Sequence, residues 1–182
     1  MNKALFLDRD GVLNVDRGYV SQIGDFEFVS GVFATLRLAQ KLGYKLIVVT
    51  NQSGIARGLY TEEEFQGLST WMLEQLEKEK ISIAKVYHCP FHVDGVVPEL
   101  AIESNLRKPN PGMLLLAQQE HGLDMAKSIM VGDKVSDIEA GQRAKVGLTV
   151  FVGADTASGT GIGADKVIGS LADLPSALGW SD

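Results

Sequence analysis

An α/β fold is predicted: a parallel sheet with helices on both faces. Three observations predict it. Short apolar, β-branched runs alternate with helical patterns along the chain. The runs are apolar at successive positions, as in strands buried on both faces. Several runs also end abruptly in polar clusters, at the edge where open parallel sheets gather ligands.

Strands are expected at 3–7, 45–50, 83–87, 128–131 and 149–152, with a sixth short one at 166–168. Helices are expected at 32–42, 61–79, 112–121 and 137–144, and a last one near 171–178. Thr61-Glu62-Glu63-Glu64 has capping-box spacing. Gly43 stands where a helix stops before the next strand, and Pro111 fits a first helical turn. Phe65, Leu68, Met72 and Leu76 share one helical face and read as core. Residues 16–29 form an insertion after the first strand, and 88–107 form a long loop, a feature that is often functional in compact domains. Residues 153–163 are rich in glycine but lack the strand-turn-helix context of a dinucleotide fingerprint, so they read as a surface loop.

At 182 residues one domain, 1–182, is expected, large enough for a core without staples. The net charge of −6 argues against nucleic-acid or anionic-membrane partners. No apolar run approaches the ~20 residues of a membrane span. A single cysteine, Cys89, excludes an internal disulfide and suits a reducing compartment, so a cytoplasmic protein is expected. Without a sustained heptad pattern, a monomer is expected.

The polar strand ends carry the chemistry. Ala4-Leu5-Phe6-Leu7 runs into Asp8-Arg9-Asp10-Gly11, and Leu46-Ile47-Val48-Val49 into Thr50-Asn51-Gln52-Ser53. Ile129-Met130-Val131 runs into Gly132-Asp133-Lys134, with Asp137 close behind, and Arg107-Lys108 precedes the helix at 112. A parallel sheet brings these clusters to one edge. Together they suit metal-assisted phosphoryl transfer, because Mg²⁺ prefers oxygen ligands and offsets repulsion between anionic nucleophile and phosphate. Asp8 would be the nucleophile and Asp10 the acid and base, with Thr50 and Lys108 holding the phosphoryl oxygens. Asp137 either joins this group or caps its helix.

These four clusters, in this order, resemble the haloacid-dehalogenase (HAD) superfamily of phosphatases. The resemblance implies a Rossmann-like sheet without a large cap domain, and Mg²⁺ held by Asp8, the Asp10 backbone carbonyl and Asp133. The longer strings around Asp8, Thr50 and Lys108 resemble the branch of heptose-bisphosphate and histidinol-phosphate phosphatases. That branch implies a small sugar-phosphate substrate, with removal of the C7 phosphate of D-glycero-D-manno-heptose 1,7-bisphosphate as the expected activity. Hydrolysis of histidinol phosphate or another small phosphomonoester, and a silent phosphosugar-binding protein, are the alternatives. Asp16, Arg17, Gly18, Tyr19, Asn51, Gln52, Ser53, Arg107 and Lys134 would then contact substrate. Many members also carry a structural zinc bound by Cys-x-His and a later Cys-x-Cys. The corresponding positions here are Cys89, Phe91, Ser104 and Leu106. Three of those four ligands are missing, so no structural zinc is expected and packing would hold the loop.

Overall fold

A computed structural model describes residues 2–153 and 163–181. Most of the expected 153–163 loop, at 154–162, lies outside the described residues.

Six strands form one parallel sheet: β1 (Lys3–Leu7), β2 (Tyr44–Asn51), β3 (Ile83–Cys89), β4 (Ile129–Gly132), β5 (Leu148–Val152) and β6 (Lys166–Ile168). Their order is β3-β2-β1-β4-β5-β6. Among the described residues four α-helices connect strands, α1 (Val32–Lys41), α2 (Glu62–Lys78), α3 (Gly112–His121) and α4 (Val135–Arg143), and a fifth, α5 (Leu174–Leu178), follows β6. The α/β prediction holds.

Alternation along each strand divides the core. Leu5 and Leu7 face one way, with Val32 and Leu36 of α1, Leu68 and Met72 of α2, and Leu174 of α5. Ala4 and Phe6 face the other way, with Met113 and Leu114 of α3 and Ala140 of α4. Both faces of the sheet are therefore dry, which is why its strands read as continuous apolar runs. Phe65, Leu68, Met72 and Leu76 are all buried, as their spacing predicts.

Local signals set the element ends. Thr61 Oγ1 accepts from the Glu64 N–H while the Glu64 carboxylate accepts from the Thr61 N–H, so α2 opens on a full capping box. Gly43 turns the chain out of α1 at φ +83°, a region where a side chain is strained. Other boundaries differ from expectation. Pro111 stands just outside α3. The last helix is preceded by a 3₁₀ turn at Leu171–Asp173. β3 continues through His88 and Cys89, because both pair with β2, so the long loop begins at residue 90. Helix α4 begins at Val135, two residues before its expected start.

The two long segments border the carboxyl edge of the sheet without forming a cap domain. The insertion contains one 3₁₀ turn, Ile23–Asp25. It is closed at its neck by backbone bonds from Val15 N–H to Glu27 C=O and from Val29 N–H to Leu13 C=O. Phe26 and Phe28 clamp it onto Trp71 of α2, with ring centroids 5.5 and 6.2 Å away. The long loop contains only the 3₁₀ turn Pro98–Leu100. Among the described residues no helix is long and apolar enough to cross a membrane.

Candidate active site

Asp8 is the first residue beyond β1, and its N–H continues the ladder to the Val131 carbonyl of β4. Its side chain therefore points from the middle of the sheet into a buried pit. Lys108 enters the same pit from the long loop. Its ammonium donates to Asp8 Oδ1 at 2.8 Å and to the Val49 carbonyl at 2.7 Å, and lies 2.6 Å from Asp137 Oδ1. The Lys108 backbone is pinned by the Asn51 side chain. Asn51 Oδ1 accepts from the Lys108 N–H, and Asn51 Nδ2 donates to the Lys108 carbonyl, both at 3.0 Å.

Asp137 is not the helix N-cap that sequence allowed. Lys134 holds the N-cap position, and Asp137 lies three residues in. One Asp137 oxygen accepts from the Lys134 N–H at 3.0 Å, which satisfies an orphan donor of α4. The other oxygen is left for Lys108. One carboxylate thus both caps the helix start and enters the site.

Asp133 completes the cluster. Asp8, Asp133 and Asp137 each offer an oxygen within 4.8 Å of the others, the one such group of potential metal ligands among the described residues. Three carboxylates face the Lys108 ammonium, and the more exposed Lys134 ammonium also acts on Asp133. Burial, against the pull of Lys108, pushes the Asp8 carboxyl up to about 7, and the neighbouring Asp137 adds to the rise. Burial likewise raises Asp133 to about 6. Burial opposes the Lys108 ammonium, but Asp137 and Asp8 outweigh it and hold its pKa above the ordinary lysine value.

A divalent cation fits this donor set. The ligands are hard oxygens, their negative charge exceeds that of Lys108, and Asp133 Oδ1 is buried without any hydrogen-bond partner. Two glycines make the packing possible. A Cβ on Gly11, which has φ +88°, would lie 2.2 Å from Asp133 Oδ2. A Cβ on Gly132 would lie 2.1 Å from the Asp137 Cβ.

Asp10 behaves differently from Asp8. Its carboxylate is not part of the cluster and is held by Arg9, Asn14 and Gln52. The Asp10 metal contact implied by the resemblance runs through its backbone carbonyl, not this side chain. Thr50, 1% exposed, lines the pit, with Oγ1 accepting from Gln52 Nε2 at 2.8 Å. Above the pit opens a cleft of about 540 Å³. Its walls come from the insertion (Asp16, Gly18, Tyr19), the end of β2 (Asn51, Gln52, Ser53), the long loop (Arg107) and the β4–α4 turn (Lys134).

Comparison with known proteins points the same way. A family model described as HAD-hydrolase-like matches residues 105–174. The chain is 48% identical over 178 residues to the D-glycero-beta-D-manno-heptose-1,7-bisphosphate 7-phosphatase of Yersinia pestis, covering 96% of this chain and 94% of the relative. The enzyme of the same name from Escherichia coli K12 is 48% identical over 177 residues, covering 96% and 93%. The chain belongs to the heptose-bisphosphate phosphatase family of the HAD superfamily. Among solved structures, the D,D-heptose 1,7-bisphosphate phosphatase of B. bronchiseptica, complexed with magnesium and phosphate, superposes with a TM-score of 0.84. It is 26% identical, and the match covers 97% of each chain.

In this heptose-bisphosphate phosphatase family member, one expected substrate contact is displaced. Arg17 does not line the cleft. It is 55% exposed and pairs with Glu27 on the outside of the insertion, so its charge is spent on that loop. Lys134 Nζ lies 3.6 Å from Asp16 Oδ2. Arg107 makes no ion pair among the described residues; its Nη1 is buried and unpartnered, and burial lowers its pKa. Sequence reasoning missed Tyr60 and Ser136, which also line the cleft, and Arg9 and Asn14, which hold Asp10. Ser136 lay within the Gly132–Asp137 string. Arg9 lay between the two aspartates, and only its burial gives it meaning.

The zinc positions carry a different chemistry in this chain. Phe91 and Leu106 pack against the core cluster beneath α3. Cys89 is fully buried, its thiol 3.9 Å from the Phe91 carbonyl, and Ser104 Oγ accepts from the Leu106 N–H. One thiol among two apolar side chains and a hydroxyl does not fit a four-coordinate zinc.

Proposed function

We propose that this chain is a Mg²⁺-dependent phosphatase that removes the C7 phosphate of D-glycero-beta-D-manno-heptose 1,7-bisphosphate through an aspartyl-phosphate on Asp8. Its product would feed nucleotide-activated heptose for surface polysaccharide. The observation that carries the reading is the convergence of Asp8, Lys108, Asp133 and Asp137 in one pit beneath a polar cleft. The beta anomer follows the names of the 48%-identical relatives.

Asp8, Asp133 and the Asp10 carbonyl would hold Mg²⁺, with Asp137 available beside them. Bound there, the ion would neutralise charge between the nucleophile and the phosphoryl oxygens. The protein's own groups carry the remaining steps. An Asp8 carboxylate oxygen attacks phosphorus as the bond from phosphorus to the C7 oxygen breaks. Asp10 gives its proton to the departing alkoxide. Lys108 and Thr50 donate to the phosphoryl oxygens as charge shifts. Water then attacks the phosphorus of the aspartyl-phosphate and passes a proton to Asp10. The bond from phosphorus to the Asp8 oxygen breaks, inorganic phosphate leaves, and both aspartates return to their starting states. Arg107, with no acidic partner among the described residues, would meet the second phosphate, and Asp16 and Tyr19 the sugar.

The proposal includes one domain, 1–182, acting as a cytoplasmic monomer on a small molecule. It is tested by phosphate release from both heptose anomers, with and without Mg²⁺, beside histidinol phosphate and fructose 1,6-bisphosphate. Mg²⁺-dependent preference for the beta heptose is expected. Equal or better turnover of another ester would overturn the substrate, and no release from any of them would overturn the activity.

A further inference from the structure

Four donors reach the Asp10 carboxylate from two directions. Arg9 Nε donates to Oδ2 and Arg9 Nη2 to Oδ1, both at 3.1 Å. Asn14 Nδ2 donates to Oδ1 at 3.0 Å, and Gln52 Nε2 to Oδ2 at 3.2 Å. The forked Arg9 contact fixes the plane of the carboxylate as well as its position. Arg9 is 1% exposed and the largest fully buried side chain among the described residues. Burying a guanidinium is costly, and the cost is offset only by close, hydrogen-bonded pairing. Here the partner is the residue that must move a proton.

Each arm of this grip is itself anchored. Arg9 Nη2 also donates to the Val20 carbonyl at 2.6 Å, and the guanidinium lies over the Phe65 ring, 5.7 Å from its centroid. Val20 directly follows Tyr19, which lines the cleft with a positive φ of 53°. On the other side, Gln52 Nε2 donates to both Asp10 and Thr50, while Gln52 Oε1 accepts from the Tyr60 hydroxyl. Burial pushes the Tyr60 phenol up to about 12, so it keeps the proton it donates. The Tyr60 ring is seated against Gly54, where a Cβ would lie 2.1 Å from a ring carbon.

We propose that Arg9, and Gln52 anchored by Tyr60, are positioning residues that fix Asp10 for proton transfer, and that Arg9 links this orientation to the cleft-lining insertion through the Val20 carbonyl. The proposal rests on the aspartyl-phosphate reading above, with Asp10 as its proton carrier. It assigns no contact with substrate to Arg9. Its effect is transmitted through Asp10, on the proton given to the leaving group and on the proton later taken from water, and kcat/KM reads the first of these because it extends only to leaving-group departure.

That specificity is what the experiment reads. Tyr60→Phe removes one hydroxyl and leaves the ring in place. Arg9→Met removes the fork, and Arg9→Lys restores a single donor. For each, kcat and KM are measured on p-nitrophenyl phosphate, whose leaving group departs unprotonated, and on a sugar phosphate that the wild type hydrolyses. Tyr60→Phe is expected to lower kcat/KM on the sugar phosphate about tenfold, as a small misplacement of a reacting group does, with less than about a twofold change in kcat/KM on the aryl ester. Arg9→Met should show a larger loss of the same selective kind, with Arg9→Lys between it and wild type. If Arg9→Met does not fold, Tyr60→Phe and Arg9→Lys decide. Equal losses of kcat/KM on both esters would overturn the positioning role. A wild type that ignores heptose bisphosphate but hydrolyses another sugar phosphate would sink the substrate and still read the grip on Asp10. Retained turnover in Asp8→Asn would overturn the aspartyl-phosphate reading and this proposal with it.

Discussion

The pit and the cleft above it are built on opposite principles. The pit residues come from the ends of β1 and β4, the long loop and the first turn of α4, and the three that meet at the ammonium are almost wholly buried: Asp8 is 4% exposed, Lys108 2% and Asp137 1%. The cleft walls are loops, with Tyr19 half-exposed and an exposed ion pair, Arg17–Glu27, on the outer side of the insertion. A sheet edge fixes positions tightly enough for bond making. Loops held by a few contacts can be altered without disturbing it. The groups that meet at Asp8 are therefore held by packing, and the cleft walls by a few surface contacts.

Mutations on the two sides should separate accordingly. The largest effect is expected at the nucleophile: Asp8→Asn should lower kcat by at least about 10³-fold while the chain stays folded, checked by phosphate release beside circular dichroism. Lys108→Ala strands Asp8 and Asp137 in a buried pit. It should cost about 3–5 kcal/mol of stability, as breaking a buried pair does, and about 10²-fold in rate, read by denaturant unfolding and kinetics. A pit mutant that lost only substrate affinity would break the comparison. Arg107→Ala, in the cleft, should raise KM for the bisphosphate about tenfold or more and leave its KM for a monophosphate nearly unchanged.

The pit should also respond to pH in a way the walls do not. Without metal, Asp8 and Asp133 titrate near about 7 and about 6, well above ordinary carboxyls. The folded chain therefore keeps protons that the unfolded chain gives up near about pH 4. Their contribution to stability is full below that point and is lost as pH rises through about 6 to 7. Mg²⁺ must displace the same protons, so its affinity should climb over this interval and level off above it. Thermal shift with and without Mg²⁺ from pH 5 to 8 reads both trends; a Mg²⁺ shift independent of pH would contradict them. The smallest effect is expected at Arg17→Ala, within about 0.5 kcal/mol of wild-type stability and with little change in KM, because an exposed pair contributes little.

The sheet was legible because burial on both faces leaves an apolar run that polar residues interrupt only at the ends. The same contrast marked Asp8, Thr50 and Asp133. Asp137 was ambiguous because its local sequence suits a helix start, and only Lys108, brought in by the fold, shows what its second oxygen does. Arg9 was unreadable for a related reason. Its burial depends on Val20 and Phe65, which packing supplies and sequence spacing does not announce. Arg17 pairs with Glu27 and is absent from the cleft walls, and charge near a cleft in sequence says nothing of its direction.

The position of β1 between β2 and β4 has a consequence for how the protein comes into being. Asp8 and Lys108 meet across 100 residues of chain, and Asp133 and Asp137 arrive only with β4, on the other side of the nucleophile. A growing chain that has just completed α3 holds the nucleophile, Thr50 and Lys108, but lacks the two carboxylates that complete the cation site. Such contacts between distant segments form late. The acidic cluster therefore exists only once both halves of the sheet have docked, so binding of a divalent cation reports a completed fold.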